Sequence, residues 1–162
     1  MGVALALQLI EGNLLDSDCD IIVHQVNCQG VMGSGIAKQI RVKWPNVYNS
    51  YTRLCDDYIN NRQALLGQVL FCATDTNIVA NIFSQLYYGN GVQTDYAVLH
   101  HCLQIVADYA NECAYTVALP YKLGCGLGGG DWNLVYEIIE DVFKYTDGEI
   151  RKLEGYTEVR YR

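Results

Sequence analysis

The 162-residue chain is predicted to fold as one α/β domain, residues 1–162, on a mixed sheet. Three observations carry that expectation. Apolar, β-branched runs alternate with amphipathic segments of helical period along the whole length. Two prolines and no Ser/Gly-rich or like-charge run leave nothing to serve as a linker. Eight of the 15 glycines gather in two loops, each following a strand-like run and preceding a helix-like one. A hydrophobic fraction of 51% with 18% charged residues is that of a globular chain with a core.

The elements follow in order. Residues 3–11 alternate as a strand, and "DIIVHQVN", residues 20–27, is a second strand apolar enough to be central. After the loop "CQGVMG", residues 34–44 read as a helix with Ile36, Ile40 and Trp44 on one face, interrupted at Pro45. Residues 46–60 form another, with Val47, Tyr51, Leu54 and Tyr58 aligned. "GQVLFCAT" and "NIVANIFSQ" are strands around the turn-like "DTN", hairpin-like neighbours in the middle of the chain, which argue for a mixed sheet. Residues 94–113 form a long helix with Thr94 as N-cap and Ala97, Cys102, Ile105 and Tyr109 on its apolar side. "YTVALPY" is the strand that feeds the second glycine loop. The last helix buries Leu134, Val135, Ile138, Ile139, Val142 and Phe143, and "YTEVRYR" closes the chain as an edge strand.

Charge and cysteine usage narrow the function. A formal net charge of −7 makes the chain a poor general binder of phosphodiester backbones, so direct nucleic-acid binding is not expected. It leaves room for one anion held by backbone N–H groups, which need no net positive charge. Seven cysteines without a C-x-x-C pair fit thiols in a reducing compartment, and a cytoplasmic location is expected. From the opening residues neither a signal peptide nor a myristoylation signal is expected, and no apolar run reaches the length of a membrane span. The chain is expected to be a monomer without cofactor or metal.

In open α/β sheets the ligand crevice lies outside the carboxyl ends of the strands, where both glycine clusters fall. In "NCQGVMGSGIA", Gly33 and Gly35 flank Ser34 at a helix start, where free N–H groups and the helix dipole favour an anion. Residues 124–130 repeat that character, and two such loops at adjacent strand ends could grip one diphosphate. The alternative is that the glycines serve only tight turns and caps. Known phosphate motifs fit poorly. "GVMGSGIAK" lacks the Gly-Lys-Ser/Thr of a P-loop, and "GCGLGG" is followed by too little chain for the second βα unit of a dinucleotide fold.

Other side chains carry two readings each. Asp131 is either a general base or the N-cap of the last helix. His24, in a strand three residues before Asn27, points at the site or sits satisfied in the core. His100 and His101 are adjacent in a helix and cannot share a face as metal ligands. Cys28 and Cys125 are small loop-filling thiols or, with a histidine, a nucleophile. Tyr87 and Tyr88 cover a nucleotide or occupy ordinary positions, and Trp132 packs the last helix on the sheet.

"VHQVNCQGVMGSGIAKQI" and "LPYKLGCGLGGGDW" together resemble the macrodomain family of ADP-ribose-binding modules, over nearly the whole chain. The branch is similar to terminal ADP-ribose glycohydrolases, DNA ADP-ribosylglycohydrolase antitoxins and ADP-ribose-1″-phosphate phosphatases. The resemblance implies a three-layer α/β/α sandwich around a mixed six-stranded sheet. It implies ADP-ribose, or an ADP-ribosylated substrate, as the partner and hydrolysis at the distal ribose as the activity, with a non-catalytic reader as the alternative. Asn27 would contact ribose, Gly33, Ser34, Gly35 and Ile36 would wrap the distal ribose, and Gly124, Cys125, Gly126 and Leu127 would bind the diphosphate. Asn13 stands where the family often has an adenine-binding aspartate. Asp131 matches a catalytic aspartate, whereas Gln85 stands where the glycohydrolases carry a lysine, and Tyr88 lies just beyond it. No lysine occurs between Lys43 and Lys122, so a covalent lysine–ribose intermediate is not available there.

Overall fold

β2 (Ile21–Asn27) is a run of buried β-branched residues, and the sheet is built outward from it. A computed structural model describes residues 7–153. The other strands are β1 (Gln8–Glu11), β3 (Val69–Ala73), β4 (Ile78–Gln85), β5 (Val117–Pro120) and β6 (Gly148–Lys152), in the order β1-β6-β5-β2-β4-β3. All pairs are parallel except β3 with β4. Alternation along the pleat divides the core into two layers. Ile21 and Val23 face a cluster with Leu99, Leu103 and Val106 of α3 (Tyr96–Cys113) and Val135 and Ile139 of α4 (Trp132–Val142). Ile22 and Val26 face the other way, onto Ile40 of α1 (Gly35–Lys43) and Val47 and Tyr51 of α2 (Pro45–Asp57). The result is the expected α/β/α sandwich with a mixed sheet of six strands.

The expected antiparallel hairpin, β3–β4, lies at one edge of the sheet. Three details differ from the sequence reading. The strand β6 was not foreseen, because "GEIRK" alternates charge instead of apolarity. Its Glu149 is nonetheless buried, accepting hydrogen bonds from Ser17 Oγ (2.6 Å) and Arg151 Nε (2.6 Å). The N-cap of α3 is Asp95, whose carboxylate accepts from Val98 N–H (3.1 Å), and not Thr94. The buried stripe of α3 runs through Leu99, Cys102, Leu103, Val106, Ala107 and Ala110, leaving Ala97 exposed, and on α4 Leu134 is exposed as well. The expected edge strand at 156–162 and the start of the first strand at 3–6 lie outside the described residues. No helix among the described residues is long and apolar enough to cross a membrane.

Candidate functional site

β2 and β5 are adjacent and parallel, so the two glycine loops leave the sheet side by side. With the β4–α3 loop they enclose a cavity of about 700 Å³. Gly33, Ser34, Gly35 and Ile36 line it from the first loop and Gly124, Gly126, Leu127 and Gly128 from the second. Gln85, Tyr88 and Gly89–Gly91 close the third side.

Both loops present unpaired donors. α1 begins at Gly35, and its N-cap Ser34 makes no side-chain capping bond. The first intrahelical bond runs from Lys38 N–H to Ser34 O, so the N–H groups of Gly35, Ile36 and Ala37 are left over, as at any helix start. In the second loop, Cys125 N–H is taken by Lys122 O and Gly130 N–H by Gly124 O, each at 2.8 Å. The N–H groups of Gly124, Gly126, Leu127 and Gly128 have no hydrogen bond among the described residues. A Cβ added at Gly126 would meet nothing within 4 Å, so this backbone stands open to whatever enters the cavity. Backbone donors at a helix start and in a glycine turn are suited to phosphate oxygens, which accept several hydrogen bonds at once.

Each loop is held from behind by polar side chains. Asn27 organises the first. Its Oδ1 accepts from Gln29 N–H (2.9 Å) and its Nδ2 donates to Val31 O (2.8 Å). The Tyr51 hydroxyl of α2 lies 2.7 Å from the Asn27 carbonyl oxygen and 2.9 Å from Oδ1. Arg62 adds a bond from Nη1 to Cys28 O (3.1 Å). Asn27 lines the cavity, yet much of its amide is spent on shaping the loop. The second loop is anchored through Gln25, to which the sequence assigns no role, and Thr94, which the sequence offers only as a helix cap. Glutamine in a strand carries no signal of its own, and threonine before a helix signals a cap and not a tie to a distant loop.

His24 is buried and lines the cavity. Asn81 donates through Nδ2 to Leu70 O (2.9 Å), which turns its Oδ1 toward His24 Nε2 at 2.5 Å. Nε2 therefore carries the proton, and Nδ1 is a buried lone pair with no partner. Burial lowers the imidazole to about 4, so the ring is neutral at physiological pH.

The remaining candidates lie around or outside this core. Gln85 is engaged at both ends, accepting from Gln25 Nε2 (2.7 Å) and donating to Tyr87 O (2.7 Å). Tyr88 lines the cavity and is 59% exposed, while Tyr87 is equally exposed without lining it. Cys125 is not among the lining residues. Its thiol donates to Leu123 O (3.3 Å) and is pushed up to about 12 by burial, as is that of Cys28, so both are protonated. Asn13 does not line the cavity either, and its Oδ1 caps Leu15 N–H at 3.0 Å. Asp131 is exposed and also absent from the lining. Its carboxylate caps α4 through Asn133 N–H (2.9 Å), and its own N–H donates to the Tyr96 hydroxyl (2.9 Å). Trp132 is half-buried against Tyr121, ring centroids 5.0 Å apart.

Comparison with known proteins places these features in a family. The Macro domain family model matches residues 23–139, which include both glycine loops. A DNA ADP-ribosyl glycohydrolase of Thermus aquaticus is 25% identical over 146 residues, covering 88% of this chain but only 39% of that relative's length. An ADP-ribose 1″-phosphate phosphatase of Scheffersomyces stipitis is 33% identical over 82 residues, 47% of each chain. The solved macrodomain of Mycobacterium tuberculosis DarG superposes with a TM-score of 0.78 at 25% identity, over 91% of this chain and 97% of that one. The chain belongs to the Macro domain family.

Proposed function

We propose that the cavity binds ADP-ribose, free or as the terminal group of an ADP-ribosylated substrate. One observation carries the reading. Two sets of unpaired backbone donors, from the start of α1 and from residues 124–128, line one cavity at the ends of adjacent parallel strands. In this reading the second loop takes the diphosphate and the first wraps the distal ribose. The relatives named for ADP-ribosyl and ADP-ribose 1″-phosphate hydrolysis support that ligand. Titration calorimetry with ADP-ribose is the test. Binding that is lost in Gly126→Leu, a side chain placed in the open space over that backbone, is the expected outcome. No heat with ADP-ribose while another nucleotide binds would reject it.

A second reading, hydrolysis at the distal ribose, is favoured by the relatives named for hydrolysis of ADP-ribosyl groups and of ADP-ribose 1″-phosphate. The substrate would be a 1″-phosphate or an ADP-ribosyl or acyl ester, each releasing ADP-ribose. Asp131 is the candidate base, a role compatible with its cap, since Oδ1 accepts from Asn133 N–H and Oδ2 is left to act. Incubation with ADP-ribose-1″-phosphate should then yield ADP-ribose, and Asp131→Ala should abolish that. ADP-ribose binding without product over long incubation would leave a reader module.

A further inference from the structure

The second loop rests on a polar relay that starts in the middle of the sheet. Gln85 donates to Tyr87 O, which turns its Oε1 toward Gln25. Gln25 must then present its amide nitrogen, and its Oε1 takes the Ser84 hydroxyl (2.5 Å) on the other side. The second proton of Gln25 Nε2 goes to Thr94 Oγ1 (2.9 Å). Having accepted there, the Thr94 hydroxyl spends its own proton on Gly124 O (2.7 Å). Donation runs outward from Gln25 Nε2 in two directions, through Gln85 to Tyr87 O and through Thr94 to Gly124 O, and Ser84 and Thr94 are both buried. Thr94 also holds the far side of the loop, because its N–H and that of Gln93 both donate to Gly128 O, at 3.0 and 2.8 Å.

The loop lies directly on this relay. A Cβ at Gly124, where φ is +71°, would come 3.0 Å from Thr94 Oγ1 and 3.2 Å from Gln25 Oε1. At Gly128 it would come 2.7 Å from Thr94 Oγ1 and 2.8 Å from Gln25 Nε2. Glycine at these two positions thus serves the contact with the relay, whereas Gly126, between them, is bare toward the cavity. We infer that Gln25 and Thr94 are positioning residues that set the direction of the loop's N–H groups before any ligand arrives. The inference rests on the reading of this loop as the diphosphate site.

The test pairs Thr94→Val, which keeps the shape and deletes the hydroxyl, with Thr94→Ser, which keeps the hydroxyl. Two measurements are made: ADP-ribose affinity by calorimetry, and backbone amide resonances of the ligand-free protein. Thr94→Val is expected to weaken ADP-ribose binding about tenfold or more and to shift the Gly126 and Gly128 amides while those of Gly33 and Gly35 stay in place. Thr94→Ser should return affinity to within about threefold of the parent and restore those resonances. Unmoved Gly126 and Gly128 amides in Thr94→Val, or parental affinity, would overturn the inference. If Thr94→Val does not fold, Gln25→Glu carries the same test. It keeps the side-chain shape but draws the Thr94 hydroxyl away from Gly124. Failure of the parent protein to bind ADP-ribose would remove the ligand assignment alone, since the ligand-free spectra judge the relay independently.

Discussion

At the scale of single residues, His24 combines a structural constraint with a measurable consequence. Its folded pKa of about 4 lies below the ordinary 6.5, so the unfolded chain binds a proton that the folded one refuses. The stability held by the neutral ring is complete above pH 6.5 and is lost as pH falls from there toward 4. Between pH 7 and pH 5 that loss is about 2 kcal/mol, read as a drop in the denaturation midpoint. His24→Gln should flatten this part of the profile, and an unchanged slope would refute the assignment. The glycines of the second loop give a contrast of a different kind. Gly126→Leu should unfold at the parental temperature, since no atom lies within 4 Å of its Cβ position. Gly128→Ala should destabilise, because its Cβ would meet Gly124 O at 2.6 Å. Thermal melts of the two variants decide it. Glycine spacing made the loop legible in the sequence. Which glycine faces ligand and which faces protein was not, because that depends on Gln25 and Thr94, brought from distant points of the chain.

At the scale of elements, α1 starts without a side-chain cap, and the missing cap leaves its donors for the cavity. Ser34→Asp should therefore act in opposite directions on stability and binding. A carboxylate at the N-cap stabilises a helix by roughly 0.5–1 kcal/mol, while occupying and repelling at an anion site. A higher melting temperature with weaker ADP-ribose affinity is expected, and a gain in both would contradict the assignment of these donors. Most elements were readable from period and apolarity, as with β2 and α2. Two misreadings have physical causes. Thr94 and Asp95 are both capping residues, and only the fold decides that the aspartate reaches Val98 N–H while the threonine turns to Gly124. β6 escaped because its inward charges are paired with each other and with Ser17, which replaces the apolar alternation that strands normally show. Asp131 shows what a motif leaves unstated, the direction its side chain takes. The chain has the expected residue in the expected place, with its carboxylate on the helix end and outside the cavity lining.

At the scale of the whole molecule, the donors sit in a protein of net charge −7. A site built on lysines loses affinity for a diphosphate as salt rises. Here the long-range field opposes the anion and the attraction is short-ranged, so screening removes mainly repulsion. ADP-ribose affinity should hold or rise between about 50 and 500 mM salt, and a steep fall over that range would point to a cationic site instead. The sheet order carries a last consequence. β1, the first strand among the described residues, pairs in the sheet with β6, and β6 in turn completes β5. On the ribosome, residues 8–11 must wait for residues 148–152 before their ladder exists, so a strand made early is docked late. Until then the β2–β4 centre stands with one flank unfinished.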